Sequence, residues 1–548
     1  MSSSKKKQMR KEQNMTERQI AAAKESKKLK YYTLTFWVVI ALVLSVFVGA
    51  IAANPVKNVI YKNTDAMVVG DYTLSSVDVN YFYIDTVNDY VSQYSSYISL
   101  IMDVTKPLNE QIVNEETGAT LADNFLESAK TTIKSTYALY DLAVKNGLQL
   151  TDAEKKTIDS TIATYELYAM YYGYNNVDSY LRAMYGNGAN EKSYRNYLEV
   201  SALAKAYLTK YSDSLEYSAE DLLNYQKTTP HKFNSYTFAS YYLKADDFRT
   251  GGTKDEKGNT TYSDEEKAAA IKAAEAAANL LADGDYANLE DFDAAIKALP
   301  INAEKPSASS TKHEDVLYDE LTTLFQDWLI GKVASEDKDA EPSYEVRREG
   351  DLTVIPYTTG SGENKVVNGY YVVRYGSFDT NEFALKNVRH LLVKFEGGKT
   401  DSTTGVTTYT EEEKAKARKE AADLLANWVA SGDLSEESFA DLAKEHSDDN
   451  AEQGGLYENI YPGQMVTNFE DWCFDAERKV GDYGVVETEY GCHIMFFVGD
   501  SETTFRDFMT TNVMRNEDVE EWYNALVEAT TLEVLTIKHV EMDMVLSH

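Results

Sequence analysis

Apolar and polar positions alternate in three different ways along the chain, and each pattern predicts a different structure. Residues 33–53 form a strongly apolar run of 21 residues without a charge. Between about residues 77 and 228, apolar positions recur mostly at three- and four-residue steps, which predicts helices. From 232 to 500, short apolar runs alternate with longer Ala-rich helical stretches. The patterns together predict an α+β multidomain protein preceded by one transmembrane helix.

Turn and capping signals locate the predicted elements of the helical part. Gly70 and Asp71 separate two short extended runs, which predicts a hairpin, and Ser75 or Ser76 then suits a helix N-cap. Thr151 with Glu154 forms a capping box, and Ser218 opens another helix. We predict a helical chaperone-like domain at 57–231. The C-terminal part, 503–548, contains a predicted helix at 517–529 and is expected to pack back on that domain.

The apolar run at 33–53 is long enough to cross a bilayer core of about 30 Å as a helix. Residues 1–30 hold ten basic and three acidic residues, so the positive-inside rule keeps a basic tail, 1–32, in the cytoplasm and exports the rest. A cleaved signal peptide is the alternative, because Ala50-Ile51-Ala52 fits a small-x-small cleavage site. Both interpretations predict an extracytoplasmic body, and the anchor predicts a single-pass cell-membrane protein.

Charge and cysteine content exclude several classes of function. The chain has 548 residues and a formal net charge of −35, with +7 in residues 1–30 and therefore −42 in the rest. This balance argues against nucleic acid as a partner, because phosphate neutralisation needs Lys and Arg. Two Cys rule out a disulfide scaffold and a multi-Cys metal centre. We expect no cofactor and no metal.

The chain contains 41 Tyr, many of them in the helical part. Tyrosine combines a large apolar face with one polar end. Two interpretations follow: helix–helix packing near the surface, or a wet groove that holds unfolded chains.

An internal repeat occupies the middle of the chain. The stretch TTYSDEEK at 260–267 recurs as TTYTEEEK at 407–414, and each copy is followed by an Ala-rich helix. Further matching blocks precede and follow these stretches in the same order, and each copy closes with an apolar strand after Gly369 or Gly491. We therefore predict two related domains, at 232–380 and 385–500.

The second copy carries an ordered motif series that the first lacks: VRHLLVK at 388–394, HSDD at 446–449, GGL at 454–456, GQMVTNF at 463–469 and TEYGCHI at 488–494. This series resembles the parvulin family of peptidyl-prolyl cis/trans isomerases. The layout of the whole chain is similar to that of the PrsA/SurA group of extracytoplasmic foldases. The resemblance implies a helical SurA-N-like chaperone domain and two parvulin-like domains, each a small antiparallel sheet surrounded by helices.

The resemblance also implies a set of site residues. The paired active-site histidines of the family match His390 and His493, the acid position matches Asp449, and the hydroxyl position matches Thr488. The proline-pocket residues match Met465 and Phe469, with Leu456 nearby. Rotation about a peptide bond costs about 18–20 kcal/mol because amide resonance is broken. Such a reaction needs a dry pocket and polar groups suited to the twisted amide, so we expect the histidines to position groups rather than exchange protons.

The first copy departs from the motif series at the same positions. Ser240 stands where His390 does, and Tyr371 stands where His493 does; Leu321 replaces Met465, whereas Phe325 keeps the aromatic ring. We expect this copy to retain the fold and to lack isomerase activity, with a peptide-binding or spacer role. Only Lys399 provides a basic side chain in the loop 395–409. Parvulins that need phosphorylated substrates resemble one another in a basic cluster there, so unmodified substrates are expected.

The sequence thus predicts a membrane-anchored foldase that isomerises X-Pro bonds in unfolded or newly secreted polypeptides. Two rival functions stay open: a holdase chaperone whose parvulin-like domains mainly contact peptide, and a cell-envelope protein with a vestigial isomerase. Contact with the membrane through 33–53 is expected of the uncleaved anchor, and a homodimer is left open. Cys473 and Cys492 are predicted to be small buried residues, with a disulfide as the alternative.

Overall fold

The computed structural model describes residues 55–254, 256–333, 342–402 and 404–546. The predicted transmembrane segment at 33–53 lies outside the described residues. Within them, no helix combines the length and the apolar character needed to cross a membrane.

The described chain alternates helices with short strands. The helices are Pro55–Lys62, Ser76–Gln93, Ile98–Ile101, Leu121–Lys145, Asp152–Tyr171, Val177–Tyr185, Glu191–Asp213, Ala219–Thr228, Asp264–Ala282, Leu289–Ala298, Thr323–Leu329, Glu411–Ser431, Glu436–His446, Thr467–Cys473 and Phe505–Ala529. The strands are β1 Asp65–Val69, β2 Tyr72–Ser75, β3 Ile112–Asn114, β4 Ala119–Thr120, β5 Ser235–Lys244, β6 Thr253–Lys254, β7 Thr260–Thr261, β8 Thr311–Leu317, β9 Leu352–Thr359, β10 Val366–Asp379, β11 Ala384–Lys394, β12 Lys399–Thr400, β13 Thr407–Thr408, β14 Leu456–Ile460, β15 Tyr483–Glu487, β16 Gly491–Thr504 and β17 Leu532–Val534.

The mixed α/β, multidomain class predicted from the sequence is confirmed. The described residues divide into two compact units, one of residues 217–511 and one of residues 55–216 with 512–546. The second, here called the helical unit, contains a small sheet in the order β17-β1-β2. The C-terminal strand β17 therefore belongs to the same sheet as β1, with Met67 opposite Val534.

Several helices of the described residues begin at the capping residues predicted from the sequence. Ser75, Thr151 and Ser218 each accept a hydrogen bond from a backbone N–H three residues on, and each forms a full capping box. Two predictions need correction. A small β3–β4 hairpin interrupts the predicted helical stretch, and the last helix begins at Phe505 rather than at 517.

Tyrosine packing supports the core of the helical unit. The rings of Tyr81, Tyr185 and Tyr194 contact one another at centroid distances of 5.0–5.3 Å. The hydroxyls of Tyr185 and Tyr197 donate to the two carboxylate oxygens of Asp85, at 2.9 and 2.7 Å. Burial raises the pKa of Asp85 to about 7, although both hydroxyl bonds act in the opposite direction. These tyrosines form a packed polar core, whereas Tyr97 and Tyr171 of the same unit are 63% and 80% exposed.

Residues 217–511 contain two four-stranded antiparallel sheets with the same topology, in the orders β8-β5-β10-β9 and β14-β11-β16-β15. Their central registers also agree. Ser240 lies opposite Val373 as His390 lies opposite Met495, and Gly369 and Gly491 hold equivalent ends of the last strand. A Cβ on either glycine would lie only 2.3 or 2.2 Å from a carbonyl oxygen of the neighbouring strand, so both copies need glycine there.

Alternation along β11 and β16 separates two faces of the second sheet. Leu391, Ile494 and Phe496 pack with Trp428 and Phe439 of the covering helices. The opposite face carries His390 and His493, beside a cluster that includes Met495, Phe469 and Cys473. Cys492 belongs to the first face, which keeps it apart from Cys473, and both cysteines are free and buried.

Candidate active site

Two neighbouring strands of the second sheet place the paired histidines together. His493 of β16 lies opposite Leu392 of β11, two residues from His390, so both imidazoles lie on the same face of the sheet. Their Nδ1 atoms are 3.1 Å apart. Both side chains are almost completely buried, with 2% of His390 and 5% of His493 exposed.

The Asp449 carboxylate selects one pair of tautomers for the histidines, and the hydrogen bonds around them accommodate it. Thr488 Oγ1 accepts from the backbone N–H of Tyr490 at 3.2 Å and lies 2.9 Å from His493 Nε2, so its own hydroxyl is available to donate to that nitrogen. His493 Nδ1–H then donates to His390 Nδ1. The protonated Nε2 of His390 faces the Asp449 carboxylate at 3.6 Å. The reverse direction would place an unprotonated nitrogen against a carboxylate.

The Ser-Asp-Asp turn holds Asp449 at the outer end of this line. The Ser447 hydroxyl oxygen accepts from the backbone N–H groups of Leu392 and Asp449, both at 3.1 Å. Asp448 accepts the backbone N–H of Lys394 at 2.9 Å. These bonds attach the turn to β11, and they leave the Asp449 side chain 45% exposed. Asp449 is therefore the site carboxylate that solvent or a ligand can reach.

Tyr457, which the motif series did not predict, contacts the same carboxylate. Its hydroxyl donates to Asp449 Oδ2 at 3.2 Å, and its ring lies 4.9 Å from the His390 ring. Burial and the adjacent carboxylate raise the pKa of Tyr457 to about 12. Because the chain contains 41 Tyr, the presence of a tyrosine at this position does not by itself indicate a functional residue. Its position on β14, directly after the Gly-Gly-Leu motif, is the feature that points to the site.

Gly455 brings β14 close to β11. Its φ of +67° is in the left-handed region, and a Cβ would lie 1.9 Å from the carbonyl oxygen of His390. The His390 N–H donates to the Gly455 carbonyl at 2.9 Å. Glycine therefore serves both the backbone conformation and the close approach that aligns Leu456 and Tyr457 with β11.

The predicted proline-pocket residues occupy different depths. Phe469 is 3% exposed, and its ring packs edge-on against both histidines at 5.3 Å. Met465 is half-buried and packs on the apolar cluster that contains Phe469. Leu456 is also half-buried, opposite Arg389, and its carbonyl accepts from Asn450 at 2.8 Å. Phe469 forms the buried floor of the site, whereas Met465 is partly exposed to solvent.

Burial keeps both histidines neutral. Desolvation lowers the pKa of His390 to about 4, although Asp449 acts in the opposite direction. Desolvation and the neighbouring His390 lower the pKa of His493 to about 3. Both imidazoles are therefore uncharged near neutral pH, and neither can act as a cationic acid. The described ranges contain no group of three or more His, Cys, Asp or Glu side chains arranged to hold a metal ion.

The equivalent region of the first copy has different chemistry. Ser240 forms a hydrogen bond of 2.9 Å with Nε2 of His313, which lies on the edge strand β8 and not on β10, the strand equivalent to β16. Tyr371 packs against Tyr242 at 4.7 Å and against Tyr357 at 6.1 Å. Phe325 keeps the position of the aromatic floor, 5.2 Å from Tyr371. An aromatic surface thus replaces the polar line of the second copy.

Comparison with known proteins places the second copy in a known domain family. Residues 370–499 match the family model described as PPIC-type PPIASE domain. Foldase protein PrsA 1 of Listeria monocytogenes and that of Listeria innocua are each 40% identical over 68 residues, which is 12% of this chain and 23% of theirs. The chain therefore matches less than a quarter of the length of these relatives.

Two solved structures also resemble part of the chain. Peptidylprolyl isomerase PrsA of Bacillus anthracis is 20% identical, covers 27% of this chain and 59% of its own, and gives a TM-score of 0.17. That of Bacillus cereus is 20% identical, covers 29% and 55%, and gives 0.16. On the family match, residues 370–499 are a parvulin-type, PPIC-type peptidyl-prolyl cis/trans isomerase domain.

Proposed function

We propose that this protein is a membrane-anchored extracytoplasmic foldase that isomerises X-Pro bonds in secreted proteins and holds unfolded chains. The observation that carries the proposal is the line of Thr488, His493, His390 and Asp449 beside the ring of Phe469, within a domain of the isomerase family. Uncatalysed X-Pro exchange takes tens to hundreds of seconds, so a folding chain gains from a catalyst.

Asp449 acts on the amide electrostatically. The planar amide places negative charge on its carbonyl oxygen through resonance, and twisting the bond removes that charge. A carboxylate near the oxygen disfavours the planar form more than the twisted one, which lowers the barrier. Tyr457 and His390 hold the carboxylate from two sides. Met465 contacts the proline ring at the open end, and Phe469 supports the histidines from below.

The test is a proline isomerase assay on a short X-Pro peptide with the full chain. We expect His390→Ala and Asp449→Ala each to lower kcat/KM by at least tenfold. His446→Ala is the matched control, because this side chain is 39% exposed and its Nε2 lies 3.8 Å from a carboxylate oxygen of Glu445. Equal rates in the wild type and both site variants would refute the enzymatic function.

A holdase with little isomerase activity is the second candidate. The aromatic surface of Tyr242, Tyr357 and Tyr371 in the first copy favours it, because aromatic rings bind proline-rich and unfolded segments without a chemical step. We expect the first copy to bind such peptides without accelerating their isomerisation. Tyr357→Ser should weaken peptide binding and leave kcat of the second copy unchanged. Suppression of client aggregation that survives His390→Ala would separate holding from catalysis.

A further inference from the structure

The first described helix, Pro55–Lys62, carries an exposed apolar strip. Val56, Val59 and Ile60 are 64%, 60% and 43% exposed. Their spacing of three and four residues places them on one face of the helix. A contiguous apolar strip facing outward costs solvation free energy unless another apolar surface covers it.

The opposite face of this helix is attached to the helical unit. Asn58 Oδ1 accepts the backbone N–H of Gly188 at 2.9 Å. The Tyr61 ring lies 4.5 Å from the ring of His539 in the C-terminal segment. Both residues are half-buried. Because these contacts fix the rotation of the helix, the strip must face outward.

Lys57 and Lys62 flank the strip on its two sides. At roughly 100° per residue, they lie between the exposed apolar face and the attached face. Both are exposed. An apolar face bordered by lysines is the pattern of helices that lie in the plane of a membrane surface, because the amines reach the phosphate groups while the apolar side chains enter the acyl region.

The chain before the helix indicates where the helix lies relative to the membrane. The charge-free apolar run ends at Ala53, two residues before Pro55. Two residues span at most about 7 Å. If residues 33–53 cross the bilayer, the helix therefore begins at its outer surface. A helix of eight residues would bind lipid weakly alone, but a neighbouring anchor makes the contact intramolecular.

We propose that helix Pro55–Lys62 lies flat in the outer headgroup layer of the membrane, with its apolar strip in contact with lipid acyl chains. This inference rests on the proposed membrane anchoring. The helix thereby docks the helical unit on the lipid surface, instead of leaving it on a flexible tether.

The test places a nitroxide label on the strip. The full-chain variants Val59→Cys and Leu100→Cys are labelled and reconstituted into phosphatidylcholine/phosphatidylglycerol vesicles. Leu100 is the matched control, because it is an 83% exposed apolar residue of the same unit far along the chain from the anchor. The native cysteines are buried and do not compete for the label. Oxygen concentrates among lipid acyl chains and a nickel chelate stays in water. Relaxation of the spin label by oxygen therefore indicates contact with lipid, and relaxation by the chelate indicates contact with water.

We expect the label at 59 to collide mainly with oxygen and the label at 100 mainly with the chelate. Equal access of the chelate to both sites, in protein that floats with the vesicles, overturns the inference and leaves the anchor intact. Spin–spin broadening at 59 also overturns it, since a second copy would then cover the strip. Protein that does not float refutes the anchoring, and the inference with it.

Discussion

The polar line through the second copy contains no charge until it reaches Asp449. Thr488, His493 and His390 are neutral and buried, and each has its hydrogen-bonding direction set by the next. Such a line holds a carboxylate in place without competing with it for protons. Electrostatic catalysis requires a charged group that the substrate can reach and that its surroundings hold rigidly in place. The neutral side chains of this line hold Asp449 in that way.

The pH dependence of activity follows from the two lowered pKa values. Because His390 and His493 have pKa values of about 4 and 3, neither titrates between pH 6 and 8. We therefore expect kcat/KM to stay within about twofold over that range, as measured with the X-Pro peptide at constant ionic strength. A loss of activity with a midpoint near 6.5, the ordinary pKa of histidine, would contradict the neutral line.

Tyr457 should act through Asp449 rather than by touching the substrate. We expect Tyr457→Phe to lower kcat several-fold with little change in KM, because the carboxylate loses a donor at 3.2 Å. In an Asp449→Asn background the same change should have almost no further effect, which a double-mutant cycle measures. Tyr483→Phe is the control, since that ring packs on Trp428 away from the site. Additive effects of the two site changes would refute the positioning role.

At the scale of elements, the approach of β14 to β11 depends on one glycine. We expect Gly455→Ala to destabilise the domain by about 2 kcal/mol or more and to lower activity, because its Cβ would meet the His390 carbonyl at 1.9 Å. Gly432→Ala is the matched control: its φ of +77° is similar, but nothing lies within 4 Å of its Cβ. It should cost only the backbone strain of about 1 kcal/mol. Urea unfolding and the peptide assay check both variants, and equal losses would contradict the steric argument.

Sequence patterns located the elements better than they located the contacts within them. Capping residues such as Thr151 marked helix starts because the cap is a local interaction. The small β3–β4 hairpin was missed because its strands are only three and two residues long. The motif series identified His390 and His493, but the hydrogen-bond direction between them depends on register and burial, which no short stretch of sequence contains. Tyr457 was missed for the same reason.

At the scale of the whole molecule, the two units should respond to pH in opposite directions. In the isomerase domain, the folded state resists protonation of His390, so stability falls as pH drops from about 6.5 towards 4. In the helical unit, burial raises the pKa of Asp85 from 3.8 to about 7, so the stability linked to its proton is lost as pH rises towards 7. Each effect changes the free energy of unfolding by at most about 1.4 kcal/mol per unit of pKa change.

Hydrogen exchange of the full chain at pH 5 and pH 7.5, corrected for intrinsic rates, measures both trends. We expect β16 to be better protected at pH 7.5. For the helix Glu191–Asp213, which carries Tyr194 and Tyr197, we expect Asp85→Asn to abolish most of the extra protection that the wild type shows at pH 5. An unchanged pH response in that variant would assign the effect to other carboxylates.

The shared strand order of the two sheets has a consequence for biosynthesis. The strands β5 and β11 offer the same register to β10 and β16, so a chain with both copies unfolded at once can pair strands across copies. The strands of the first copy end at Asp379, before those of the second begin at Ala384. A chain that emerges from its N-terminus can therefore complete one sheet before the competing strands exist. Refolding from denaturant removes this temporal order, and we expect it to yield more misassembled protein than synthesis does.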